Sequence, residues 1–209
     1  MLDRQKASLK NAYLPRLRNL ADSLPVLAGI CAGVTCALPK QSIMTSMTQK
    51  MPKPVESFNL DHSKVRAPYV RLAGRHHTPH GDTISKFDLR FLQPNDAAMP
   101  TDAMHTIEHL LASYVREALG EDTVIDASPM GCRTGFYLIT MGETAEDDVR
   151  EAFRYVLSSI ADYDGQVPGV SDLECGNYRD HSLEAAKALA KEILANDIII
   201  QPTITLNRV

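Results

Sequence analysis

The stretch that most constrains this chain is Met104-His105-Thr106-Ile107-Glu108-His109-Leu110-Leu111-Ala112, which sets two histidines and a carboxylate within five positions. Spaced by four, His105 and His109 project from one helix face on adjacent turns, so both imidazoles can close on a single cation. Glu108 stands three residues after His105 and leans to the same side, where a carboxylate can exchange protons beside a cation without binding it. Ile107, Leu110, Leu111, Tyr114, Val115 and Leu119 recur at helical spacing as the core stripe of that helix. Thr101-Asp102 is read as its N-cap and Gly120 as its stop.

Around this helix the patterning alternates between periods of two and of 3.6. Pro68–Leu72 and Thr83–Leu92 read as strands of an antiparallel hairpin, joined by the polar turn Arg75–Asp82. The three histidines of that turn, His76, His77 and His80, are read as solvated. Thr123–Ser128 and Phe136–Met141 read as two further strands, and a helix opens after Gly142-Glu143-Thr144 and reaches about Asp162. A last helix carries Leu183, Ala186, Leu189, Ala190, Ile193 and Leu194 on one face, and the apolar tail Ile198–Leu206 is read as an edge strand or a loosely docked end. Strands and helices segregate, so the expected fold class is α+β, an antiparallel sheet packed against helices in a single domain.

Composition narrows the function. Over 209 residues the 22 basic and 26 acidic side chains give a net charge of −4 without a basic run, which leaves nucleic-acid or anionic-membrane binding without electrostatic support. A small polar substrate is the expectation. Cys31, Cys36, Cys132 and Cys175 form no C-x-x-C pair and are too scattered for a disulfide scaffold, which points to a reducing, cytoplasmic setting. Residues 1–50 differ from the rest: Lys and Arg are spread over the first eighteen positions, and Leu24–Leu38 is nearly all apolar. At about fifteen residues that run falls short of the roughly twenty that span a bilayer. Residues 1–50 are expected to be an extension (a start-site artefact, or a disordered or targeting segment), with the catalytic domain at 51–209.

Two histidines need a third protein ligand, and a catalytic site keeps a further position open. The downstream candidates are Glu174, Cys175 and His181. With Glu174 the H-x-x-E-H order would make an inverse-motif zinc metallopeptidase; with Cys175 it would make a different centre; a fourth protein ligand closing the site would make a structural module. Cys132 follows Pro129-Met130-Gly131 in a tight turn and precedes Arg133, a placement that exposes a thiol and lowers its pKa. A thiolate and Glu108 near one cation suit proton abstraction beside a carbonyl better than amide hydrolysis.

Five stretches, in order, resemble the S-ribosylhomocysteine lyase (LuxS) family: Glu56–His62, Lys86–Phe91, His105–Ala112, Ser128–Tyr137 and Glu174–Tyr178. The resemblance spans about Met51 to Asp197, and the first fifty residues and the C-terminal tail lie outside it. It implies that His105, His109 and Cys175 hold one divalent metal per subunit, Fe(2+) in the cell and often zinc or cobalt in isolated protein. It implies that Cys132 and Glu108 are the acid/base pair and that Ser57, His62 and Arg90 shape the substrate pocket. It also implies a homodimer with active sites at the interface, and a reaction that splits S-ribosylhomocysteine into homocysteine and 4,5-dihydroxy-2,3-pentanedione, the autoinducer-2 precursor, in quorum sensing and methyl-cycle recycling.

Overall fold

In the computed structural model of the protein, residues 55–207 are described, and the expectations for residues 1–50 lie outside them. A single 3-10 turn at Glu56–Phe58 precedes β1 (Tyr69–His77) and β2 (Thr83–Arg90); α1 (Thr101–Leu119) follows, then β3 (Val124–Pro129), β4 (Gly135–Met141), α2 (Glu146–Asp162), α3 (Leu183–Leu194) and β5 (Ile199–Ile200). The strands form one sheet in the order β3-β4-β2-β1-β5.

Three expectations are corrected in detail. β1 runs on to His77, so Arg75, His76 and His77 are strand residues paired with Ser85, Ile84 and Thr83, and the turn shrinks to Thr78–Asp82. The turn closes itself, because Thr78 and Asp82 exchange backbone and side-chain hydrogen bonds at 2.8–2.9 Å. The sheet is mixed rather than wholly antiparallel, since β5 lies parallel to β1 at its edge. Helix α1 takes Pro100 as its N-cap without a side-chain cap; Thr101 and Asp102 lie inside the first turn, where the Asp102 carboxylate accepts from Ala103 N–H and complements the helix dipole. The Gly120 N–H bonds the Arg116 carbonyl where the helix stops.

Period-two alternation gives the sheet two unlike faces. Val70, Phe87, Leu89, Phe136 and Leu138 point into the core against α1, α2 and α3, where Phe91 meets Phe136 and Phe153 at ring separations of 5.1 and 4.7 Å. The alternate positions carry Tyr69, Arg71, Asp88, Arg90 and Tyr137 on the other face, with Asp88 in register between Arg71 of β1 and Tyr137 of β4. Asp88 is fully buried, and it accepts from Tyr69, from Arg71 and from both Nε and Nη2 of Arg90. Arg71 in turn bonds the exposed Glu56 at 2.6 Å, so a chain of alternating charge runs from the 3-10 turn through the buried Arg71 and Asp88 to Arg90. Losing one member of a buried pair here, Asp88 above all, would strand a desolvated charge, which costs about 3–5 kcal/mol. Among the described residues no helix is long and apolar enough to cross a membrane.

Candidate metal centre and active site

Helix α1 delivers His105 and His109 on one face, as their spacing requires, with ring centroids 4.8 Å apart. The loop between α2 and α3 brings Cys175 and His181 to the same place. The donor atoms of His105, His109, Cys175 and His181 all lie within 4.8 Å of one another, and Cys175 Sγ is 3.3 Å from His105 Nε2.

Backbone carbonyls fix the two helix imidazoles. His105 Nδ1–H donates to Asp180 O at 3.0 Å and His109 Nδ1–H donates to Pro168 O at 2.7 Å. A carbonyl only accepts, so the proton sits on Nδ1 in both rings and each Nε2 presents a lone pair. Gly169, with φ of +71°, lets the loop pass so close to His109 that an added Cβ would stand 3.3 Å from its Nδ1. The Asn177 N–H points at Cys175 Sγ from 3.4 Å. Converging lone pairs and a single S–H hydrogen cannot satisfy one another, whereas a divalent cation of borderline softness satisfies all of them. The donor set therefore fits a metal ion. Burial first, then the neighbouring His105 and His109, push His181 below its ordinary pKa and keep it neutral, as a ligand must be.

Glu174 is exposed and accepts from Ser171 Oγ at 2.6 Å, and it is not among the gathered donors. The peptidase arrangement that needed it is thus not the one the loop builds.

Cys132 occupies the tight turn between β3 and β4, where Arg133 takes a positive φ of 59°. Gly135 is required there by close approach: a Cβ would stand 2.3 Å from Leu89 O, so only glycine lets β4 lie against the end of β2. Thr134 O accepts from Phe91 and Leu92 N–H, which pins the turn beside Arg90. Arg90 Nη1 donates to Thr134 Oγ1 at 2.6 Å and points at Cys132 Sγ from 3.9 Å, while Thr134 Oγ1 is 3.1 Å from the sulfur. Partial burial works against the thiolate, but the Thr134 hydrogen bonds and the Arg90 charge outweigh it and hold the exposed Cys132 thiol below its ordinary range. Sequence reasoning gave no role to Asp88, which holds Arg90 in place, although its i, i+2 spacing from Arg90 on one strand face was a readable signal.

His62, Arg90, Cys132 and Thr134 line one cavity of about 570 Å³, rimmed by the Asn95–Ala98 loop. His62 Nδ1–H donates to Leu60 O, which leaves its other nitrogen as an acceptor. Glu108 instead lines a separate cavity of about 370 Å³ together with His109 and Asp126. Ser57 lines neither and stands beside the Tyr137 phenol. Within this chain, then, His62, Arg90 and Cys132 line one cavity, Glu108 lines another with His109, and Ser57 lines neither.

Comparison with known proteins identifies relatives over most of the described residues. The chain is 56% identical over 154 residues to S-ribosylhomocysteine lyase of Deinococcus radiodurans, covering 74% of this chain and 96% of that protein. It is 55% identical over 152 residues to the enzyme of the same name from Thermus thermophilus, covering 73% and 96%, and 52% identical over 144 residues to that of Clostridium perfringens, covering 69% and 93%. The profile of the family described as S-ribosylhomocysteinase (LuxS) matches residues 55–203, and with these relatives it shows that the chain belongs to that family of carbon–sulfur lyases.

Proposed function

We propose that the chain cleaves the thioether of S-ribosylhomocysteine to homocysteine and 4,5-dihydroxy-2,3-pentanedione. The observation that carries this reading is the exposed, pKa-lowered Cys132 held by Arg90 and Thr134, on a chain that also gathers His105, His109 and Cys175. Amide hydrolysis would give such a thiol no task. Sulfur leaves a ribose chain only when it stands β to a carbonyl, so the carbonyl must first migrate along the sugar. The products together contain all the atoms of the substrate, so neither oxidant nor water is consumed.

His105, His109 and Cys175 would hold a divalent cation, Fe(2+) in the cell and zinc or cobalt on substitution. When bound, such an ion polarises a sugar carbonyl and acidifies the carbon beside it. Cys132, as thiolate, takes the proton from that carbon and returns it one carbon along; its low pKa lets it work as a base near neutrality. Glu108 is the partner acid/base and moves the hydroxyl protons. At the last stage a proton leaves the carbon next to the carbonyl and homocysteine thiolate departs. Arg90 is fixed by Asp88, so it orders the pocket and supports the thiolate rather than reaching out to substrate. His62 and Ser57 contribute to substrate binding, the latter from the partner-facing side of a homodimer whose interface completes the site. We assign residues 51–209 as the catalytic domain and 1–50 as an extension, and we place the enzyme in the cytoplasm, serving autoinducer-2 synthesis and methyl-cycle recycling.

The test is to incubate anaerobic, iron-loaded protein with S-ribosylhomocysteine and assay free thiol. Release that depends on Cys132 and Glu108 is the expected result. No release from the loaded protein overturns the reading.

A further inference from the structure

The segment that carries His62 to the Cys132 cavity lies between the 3-10 turn and β1, outside the regular elements. Its apolar anchor is small. Leu60, Val65 and Tyr69 are buried together as a cluster set apart from the main core, with Ile199 of β5 packed against them. The far end of the chain completes the anchorage. β5 sets the C-terminal residues beside β1, where Gln201 N–H donates to Val70 O at 2.8 Å. The Gln201 side chain is buried, and its Oε1 accepts from Arg66 N–H at 3.3 Å. Three residues on, the tail becomes an antiparallel partner of the His62 segment. Leu60 stands opposite Thr205, while Asp61 N–H donates to Ile204 O and Leu206 N–H donates to Asn59 O, both at 2.7 Å. Residues 204–206 lie past the end of the family match at 203.

One of those bonds reaches the His62 ring through a single peptide group. Leu60 C=O and Asp61 N–H belong to one planar trans peptide, so they point in opposite directions and turn only together. Ile204 O holds the N–H end, and His62 Nδ1–H donates to the C=O end at 3.0 Å. The two pairing bonds fall on Asn59 and Asp61, either side of Leu60, which leaves the Leu60 carbonyl for the ring. The Asp61 carboxylate then accepts from Ser63 N–H and Oγ–H at 3.1 and 2.6 Å and closes the turn about His62. With Nδ1 as the donor, Nε2 is the acceptor left for a substrate group.

We infer that Gln201 and the strap Ile204–Leu206 are positioning residues for substrate binding: by clamping the Leu60–Asp61 peptide they set the tautomer and the place of His62 beside Cys132. None of them lines the cavity, so they act through His62. This rests on the lyase reading, in which His62 contacts substrate.

The test stops the chain after Thr203, which keeps β5 and Gln201 and removes both pairing bonds. The KM for S-ribosylhomocysteine should rise about tenfold, the worth of one well-made hydrogen bond, with kcat within about twofold of the full chain. In a His62→Ala background the same truncation should leave KM unchanged, because both changes then remove one interaction. A second readout needs no turnover. In zinc-loaded protein carrying isotope-labelled histidine, at alkaline pH where the rings are neutral, nitrogen NMR reads the His62 tautomer, and His62→Ala identifies its signals. The full chain should show the Nδ1–H form, and the truncated chain a shift toward the Nε2–H form that free histidine prefers. Leu206→Pro removes one pairing donor and should act in the same direction by a smaller factor, whereas Leu206→Ala keeps the N–H and should match the wild type. That pair carries both readouts if circular dichroism shows the truncated chain unfolded. An unchanged His62 tautomer, or a KM rise that persists in the His62→Ala background, overturns the inference. A full chain that releases no thiol, with the tautomer change intact, sinks the lyase reading and leaves the clamp on His62 standing.

Discussion

Cys132 and Cys175 carry the same thiol in unlike company. Cys132 is exposed beside a guanidinium and a hydroxyl, groups that favour negative charge on sulfur but leave its lone pairs free for protons. Cys175 is half-buried among imidazole nitrogens, with the Asn177 N–H against its sulfur, a set of converging lone pairs that suits a cation. One environment suits a base and the other suits a metal ligand. A cysteine's task is thus set by whether its neighbours donate or accept, and burial alone does not decide it.

Exchanging the two roles should fail in different ways. Cys132→Ala is expected to lower thiol release by about 10²–10⁴-fold while the metal content per subunit stays at the wild-type value. Cys175→Ala should lose both, as metal analysis beside the thiol assay will show; retained metal in that variant would break the contrast. Chelation should unmask Cys175 to alkylation, read by peptide mass mapping, without changing the rate at Cys132. It should also lower the thermal midpoint, because an ion present at a hundred times its Kd stabilises the fold by about 2.7 kcal/mol.

Arg90→Gln sharpens the other side. Arg90 lowers the Cys132 pKa, so the wild-type thiol stays ionised and reactive as pH falls below the usual thiol range. Losing the guanidinium should move the alkylation profile of Cys132 to higher pH and leave that of Cys175 in metal-free protein where it was. The smallest effect is expected from Gly169→Ala. A side chain at φ of +71° against His109 should cost about 1 kcal/mol in denaturant unfolding and weaken metal binding, with the Cys132 profile unchanged.

Much of the scaffold could be read from residue order. The period-3.6 stripe of α1, the alternation of β2 and β4 and the stop at Gly120 are local patterns, and they appear where the residues put them. The hairpin turn was misplaced because His76 and His77 are polar, and their pairing with Ile84 and Thr83 depends on a partner strand rather than on their own character. The parallel pairing of β5 is likewise invisible along the chain, since a two-residue apolar strand has no direction until a neighbour supplies one.

The sequence by itself determined the pairing of His105 with His109, because four residues of helix bring two side chains onto one face whatever surrounds them. It also placed a cysteine in a tight turn before a cation. Only the tertiary structure decided that Asp180 O and Pro168 O would each hold an imidazole proton, and that Asp88 would hold Arg90 beside Cys132. These contacts join residues far apart in the chain. Hydrogen bonds at such separations follow from how elements pack, and no periodicity in a linear sequence encodes them.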